Sequence, residues 1–158
     1  LDLMIYFNNQ NFSKIQSHIF NTFWKTEAED NAFITLESDN GVVANMHSSA
    51  TQWRHKFLLE MIFEEGYINL DGFLSGTRSY APETLVTARR EFEDITYAMG
   101  KPKETVTTFE NDDSFKMEVQ DFLNAIKSNT SIKHGKSADA LNVLSLIENI
   151  YKESGFYS

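Results

Sequence analysis

Between Ala32 and Ser38 the chain alternates strictly, with Ala32, Ile34 and Leu36 on one side and Phe33, Thr35 and Glu37 on the other. A repeat of two residues marks a half-buried strand. Asp39-Asn40-Gly41 follows as a hairpin turn, Gly41 being free to take positive φ. Val42 to Thr51 then resumes the alternation, Val42, Ala44, Met46, Ser48 and Ala50 opposing Val43, Asn45, His47 and Ser49. Phe57 to Glu64, a turn at Glu65-Gly66 and Tyr67 to Asp71 make a second hairpin. Upstream, Leu1 to Phe7 reads as a helix stopped at Asn8-Asn9, since Asn tolerates the left-handed conformation of a helix end. Phe12 to Trp24 shows no helical stripe. Ile15, Ser17, Ile19, Asn21 and Phe23 share one side, which predicts one long strand, and Lys25 to Asp30 is a polar turn. Downstream, Gly72 to Pro82 is a loop, Leu85 to Arg90 is compatible with a strand, Glu91 to Lys103 is ambiguous, and Thr105 to Phe109 is a strand.

The period then changes. Phe115, Val119, Phe122, Leu123 and Ile126 recur at helical spacing behind Asp112-Asp113, acids suited to cap a helix and to oppose its dipole. Leu141, Leu144, Ile147, Ile150 and Tyr151 line a further helix, with Ser137 as its expected N-cap and Ser154-Gly155 as its stop. Strands followed by helices, rather than alternating with them, predict an α+β fold: an open-faced, largely antiparallel β-sheet with helices on one face. A single domain over residues 1–158 accounts for the length. The strand at 57–64 is apolar on both sides, Leu58 and Ile62 opposing Phe57, Leu59, Met61 and Phe63. A sheet standing alone would show a polar outer face, so another subunit or domain is expected to cover this one.

Composition narrows the function. The formal charge of −9 excludes a nucleic-acid surface, which needs Lys and Arg against phosphates, and an anionic membrane surface. No apolar run is long enough for a bilayer and no signal peptide is evident. The absence of cysteine excludes disulfides, thiolate metal sites and a Cys nucleophile, and fits a cytoplasmic location. The chain begins at Leu1, inside a helix lacking an N-cap and a first turn, which reads as a fragment.

Little complete chemistry is present. The seven glycines form neither G-x-G-x-x-G nor a P-loop. The four histidines, His18, His47, His55 and His134, have no metal-ligand spacing. His47 reads as a structural strand residue, and Ser48-Ser49 lacks the setting of a nucleophile elbow. Asp2 is an acid on an apolar helix, next to a site or merely on the surface. The strand exit Thr51 to Lys56 is the strongest candidate. Gln52, Trp53, Arg54 and His55 combine an amide, a large aromatic, a guanidinium and an imidazole, groups that stack on and hydrogen-bond polyhydroxylated or phosphorylated ligands. The competing reading is an exposed loop or dimer rim with Trp53 as a packing anchor. Trp24, at the preceding strand end, is a weaker candidate of the same kind.

Several stretches together carry a resemblance: Asp30-Asn31-Ala32, the strand ending at Asp39-Asn40-Gly41, HSSATQW, IFEEGYINLDG, the helix DDSFKMEVQDFLNAI and the closing HGKSADALNVLSLIENIYKES. In order and spacing they resemble the C-terminal domain of the Gfo/Idh/MocA oxidoreductases over nearly the whole chain. The resemblance implies a separate N-terminal Rossmann domain that binds NAD or NADP, with no cofactor bound by this fragment alone. It implies homo-oligomers through the open sheet face and hydride transfer to or from a sugar, nucleotide-linked sugar or cyclic polyol. The family's catalytic histidine precedes an acid in a pattern like H-x-x-D-L. Asp2 matches that acid, so the proton-transfer residues are expected upstream of Leu1 and the fragment alone is expected to be inactive. On this basis Asp2, Trp24, Gln52, Trp53, Arg54 and His55 are the expected substrate-binding residues. The alternative is a stand-alone, non-enzymatic dimerisation or ligand-binding module of the same fold.

Overall fold

A computed structural model describes residues 1–91, 96, 97 and 99–156. They form three helices and seven strands: α1 (Asp2–Asn8), β1 (Phe12–Phe20), β2 (Asn31–Ser38), β3 (Val43–Ser49), β4 (Leu58–Phe63), β5 (Gly66–Asp71), β6 (Glu83–Arg89), β7 (Glu104–Phe109), α2 (Ser114–Ser128) and α3 (Ser137–Ser154). The architecture is α+β with open antiparallel sheets, as the period change predicts. The strands divide, however, into a three-stranded sheet in the order β1-β2-β3 and a four-stranded sheet in the order β4-β5-β6-β7. The chain correspondingly forms two compact units, one of residues 1–52 and 121–158 and one of residues 53–120. Part of the ambiguous Glu91–Lys103 segment lies outside the described residues.

In the first unit the core follows the alternation along β2. Ala32, Ile34 and Leu36 are buried beside Phe12, Leu146 and Ile150, with Met4, Ile5, Ile15, Ile19, Ala44 and Met46 packed around them. Leu36 is the most enclosed residue, at 0% exposure. Phe12 joins the same face as Ile15 only because a bulge between Phe12 and Lys14 shifts the register by one. Helix α3 lies along the outer edge of β1, where the Ser17 N–H donates to a Glu153 carboxylate oxygen at 2.7 Å and the Ser17 hydroxyl reaches the Ile150 carbonyl at 3.0 Å. The edge of β1 is thus covered by a helix rather than left as an open template.

β1 stops at Phe20, short of the expected Trp24, and the cause is Asp30. Its carboxylate accepts the backbone N–H groups of Phe23 (2.6 Å) and Trp24 (3.1 Å), which folds residues 21–29 into a loop over the strand end. Asn21 and Phe23 therefore leave the strand. Asp30 is buried at 2% exposure, and burial works to raise its pKa. The N–H groups of Phe23, Trp24 and Thr22 and the amide of Asn31 outweigh burial and hold it below the ordinary carboxylate value. The helix ends come close to expectation. Asn9 takes the left-handed conformation at φ 54° after α1, and Gly155 does so at φ 68° after α3. The N-cap of α3 is Lys136 rather than Ser137. Its backbone N–H donates to Asp139 at 3.2 Å, an arrangement that a cap at Ser137 would forgo.

The second unit is an antiparallel meander. Leu59, Leu70 and Leu85 align across β4, β5 and β6, and Met61 aligns with Ile68 two pairs along on the same face. These side chains are only half-buried, while Leu58 and Ile62 on the opposite face lie in solvent. Helix α2 spans the division between the units. Its expected apolar stripe is largely exposed, Phe115 at 76% and Ile126 at 62%.

Candidate functional site

The expected site residues fall in three places. Asp2 opens α1 and lies in the first unit, in a cleft of about 930 Å³ with Tyr6, Asn9, Lys133, His134, Lys136 and Asp139 on its walls. The ring of His134 meets that of Tyr6 edge-on at 6.1 Å. Its apolar lining comes from Ile5, Ala140, Val143 and Leu144. Trp24 also lies in the first unit, but at the far end of β1, where its indole N–H donates to the Ala50 carbonyl at 2.9 Å and its ring packs edge-on against Phe23. That bond uses the donor but leaves much of the ring open. Gln52 ends the first unit as an exposed residue, and Trp53, Arg54 and His55 begin the second.

In the second unit the 53–57 segment does not stand alone. The loop after β5 folds back on it, and four rings form a chain. His55 lies 4.9 Å from Tyr80, Tyr80 stacks on Phe73 at 4.2 Å with the planes 21° apart, and Phe73 meets Phe57 edge-on at 5.5 Å. These spacings are those of favourable aromatic pairs. The loop is pinned at its base. The Gly72 N–H donates to the Phe57 carbonyl at 2.9 Å, and the Leu74 N–H donates to the Glu83 carboxylate at 2.7 Å. Gly72 has φ 72°, and a Cβ there would run into the carbonyl oxygens of Tyr80 and Pro82, so only glycine allows the loop to close this tightly. Arg78 turns the loop tip at φ 54°, its carbonyl accepting the Ala81 N–H. Trp53 stands at the end of this assembly, 95% exposed.

Phe73 and Tyr80 are not among the expected site residues, although two aromatics inside GFLSGTRSYAP, a stretch otherwise of turn residues, need something to pack against. His134 has no metal-ligand spacing in the sequence, and its place beside Tyr6 and near Asp2 follows from the packing of α1 against α3. Among the described residues no group of three or more His, Asp or Glu side chains is arranged to hold a metal ion. No described helix is long and apolar enough to cross a membrane. Among the described residues every paired strand is antiparallel, and no glycine-rich turn leads from a strand into a helix as in a dinucleotide-binding fold.

Open antiparallel sheets with three helices define an α+β fold, and known proteins share it. Residues 1–69 match the model of the GFO/IDH/MocA C-terminal domain. No curated protein matches the sequence. Among solved structures, UDP-N-acetylglucosamine 3-dehydrogenase GnnA from Acidithiobacillus ferrooxidans superposes with a TM-score of 0.76 at 17% identity, over 99% of this chain and 45% of that one. An aldose-aldose oxidoreductase from Caulobacter crescentus, complexed with glycerol, gives 0.70 at 15% identity over 97% of this chain and 42% of its own. A protein from Desulfitobacterium hafniense described as a putative NADPH-dependent oxidoreductase gives 0.69 at 13% identity, covering 94% and 43%. At these identities the likeness is one of fold. This chain spans less than half the length of each of the three structures.

Proposed function

We propose that this chain is the substrate-binding and self-associating domain of an NAD(P)-dependent oxidoreductase that acts by hydride transfer on a sugar, nucleotide-linked sugar or cyclic polyol. The observation that carries the reading is the family match over residues 1–69, supported by the fold shared with the three oxidoreductases. The nicotinamide cofactor would be held by a separate Rossmann domain, and the working location would be the cytoplasm. Asp2, Trp24, Gln52, Trp53, Arg54 and His55 are proposed as substrate contacts. Asp2 contributes through the cleft of the first unit, and Trp53 to His55 through the aromatic assembly of the second.

Self-association through an open sheet face has support in the first unit. The face of β1, β2 and β3 away from α3 carries Gln16, His18, Phe20, Phe33, Asn45 and His47, with Phe33 stacked on His47 at 4.2 Å. Its two charges, Lys14 and Glu37, form a salt bridge. A face with aromatics and no uncompensated charge, on a chain of net charge −9, has the composition of an interface core.

The test is expression of the complete reading frame encoding this chain, followed by titration with NAD⁺ and NADP⁺ and by light scattering. Tight binding of one nicotinamide and a discrete oligomer are expected. A complete polypeptide that binds neither cofactor refutes the oxidoreductase reading, and a clean monomer at high concentration refutes the self-association.

A further inference from the structure

On the open face of the first sheet, two of the chain's four histidines flank one aromatic ring. His18, Phe33 and His47 are direct register partners across β1, β2 and β3, so they form one row on the side turned away from α3. His47 stacks on Phe33 at 4.2 Å with the planes 10° apart, and its Nε2 lies 3.4 Å from the side-chain oxygen of Asn31, an acceptor. His18 is exposed, and among the described residues it has no hydrogen-bond or ion-pair partner. The charges around the row are already engaged. On the face itself Lys14 and Glu37 pair with each other, and β3 brings no charged residue besides His47. Helix α3, packed along β1, carries Asp139, bonded to the Lys136 N–H, the Glu148–Lys152 pair, and Glu153, held by the Ser17 N–H and hydroxyl. Asp30 accepts the Phe23 and Trp24 N–H groups and reaches His47 only by way of the Asn31 amide. Lys25, Glu27 and Glu29 in the loop of residues 21–29 bond to neither imidazole. A proton taken up by either ring is therefore a charge that no carboxylate on the face compensates.

A second copy of the chain suits this face. With its one charge pair closed, the face offers no ion to a charged partner, and its match is a surface of the same neutral, aromatic kind. Strands of nine, eight and seven residues set its size, and two such faces together cover on the order of 1,000 Å², the lower end of specific interfaces. An interface that small is decided by a few charges. In the free chain water solvates a protonated imidazole, and a cation lying over the face of Phe33 is attracted by its ring. In a two-fold pair the same rows bring four imidazoles between two sheets, where like charges oppose association.

We propose that the His18–Phe33–His47 row makes the association of two copies pH-dependent, holding them together while the imidazoles are neutral and releasing them when they take up protons. The inference rests on the proposed self-association through this sheet face and adds its regulation. Imidazoles exchange their protons between about pH 5 and 8, which is where the release falls. Bulk charge predicts the opposite direction. From −9 the chain loses net charge as the pH falls towards its pI of about 4.8, which weakens the repulsion between copies. The sign of the effect thus separates the histidine row from general electrostatics.

Sedimentation velocity of the complete polypeptide tests this, in a concentration series at about pH 8 and about pH 6 on either side of the imidazole transition, with EDTA to keep metal ions off the rings. The dissociation constant of the pair should rise by about tenfold or more at the lower value, the scale of like charges set opposite each other in an interface. Far-UV circular dichroism should be the same at both. The double variant His18→Gln, His47→Gln should associate at both values with no rise at the lower one. His18→Gln alone alters an exposed side chain without a bonding partner and should remove part of the rise, so the test does not hang on the His47 stack. A dissociation constant that is unchanged or falls at the lower value overturns the proposal while leaving self-association in place. So does a double variant that dissociates like the parent, or a loss of circular dichroism that assigns the release to unfolding. A polypeptide that is monomeric at both values removes the self-association itself, and this inference with it.

Discussion

Leu36→Ala should be the most damaging single truncation in the first unit, and Phe33→Ala, three residues away on the same strand, should be mild. Leu36 has 0% exposure and faces Leu146 and Ile150 of α3, whereas Phe33 is 46% exposed on the opposite face of β2. Truncating a fully enclosed leucine removes its transfer energy and leaves a cavity, costing about 2–5 kcal/mol. Phe33 would lose its stack on His47 and its edge contact with Phe20, about 0.5–1.5 kcal/mol, and a share of its burial. Against a total stability of roughly 5–15 kcal/mol, the first change is a large fraction and the second is not. Urea unfolding followed by far-UV circular dichroism, and by Trp24 fluorescence in a Trp53→Phe background, reads the difference. With a slope of about 2 kcal/mol per molar, Leu36→Ala should lower the midpoint by about 1–2.5 M with the slope unchanged. A Phe33→Ala midpoint as low as that of Leu36→Ala, or lower, would refute the assignment of core and open faces.

Ser17→Ala removes the hydroxyl shared between Glu153 and Ile150 and should cost about 1–3 kcal/mol, seen as faster amide exchange in the second half of α3. Unchanged exchange there would show that α3 is held without this clasp. Gly72→Ala places a Cβ against the Tyr80 and Pro82 carbonyls at positive φ and should destabilise the loop by roughly 2 kcal/mol or more, with loss of the Tyr80 ring-current shifts in the NMR spectrum. Asp30 has a folded pKa below its ordinary 3.8, so its ionised form adds stability that is present above that value and lost as pH falls through the folded one. Asp30→Asn should therefore flatten the fall of Tm below about pH 4, and a fall as steep as the parent's would contradict the role given to its N–H partners.

Much of the first unit was legible because local pattern and tertiary environment agree there. The alternation of β2 names its buried residues one by one, and Asn9 and Gly155 end their helices in the conformation their residue types favour. The reading failed where a side chain overrode the pattern. Nothing in the alternation of residues 15–23 shows that the Asp30 carboxylate will take the N–H groups of Phe23 and Trp24 and end the strand early. The bulge after Phe12 is equally silent, since a single extra residue leaves the same apolar letters in the sequence. The candidate site was half legible. Trp53, Arg54 and His55 stand out as chemistry at a strand end, but their partners Tyr80 and Phe73 come from a loop whose fold depends on Gly72 and Glu83. The stripe of α2 predicts a helix and a buried face, and only the helix is present, because periodicity specifies which side is apolar and not what covers it.

The most direct measurement of the central proposal is the formation of reduced nicotinamide by the complete polypeptide, supplied with NAD⁺ or NADP⁺ and a panel of nucleotide-linked sugars, free sugars and cyclic polyols. The account predicts turnover with at least one member of that panel, and an increase of KM rather than a fall in kcat when Trp53 is replaced by alanine. A cofactor-loaded polypeptide that turns over none of them, or one whose KM is indifferent to Trp53, Arg54 and His55 alike, would contradict it.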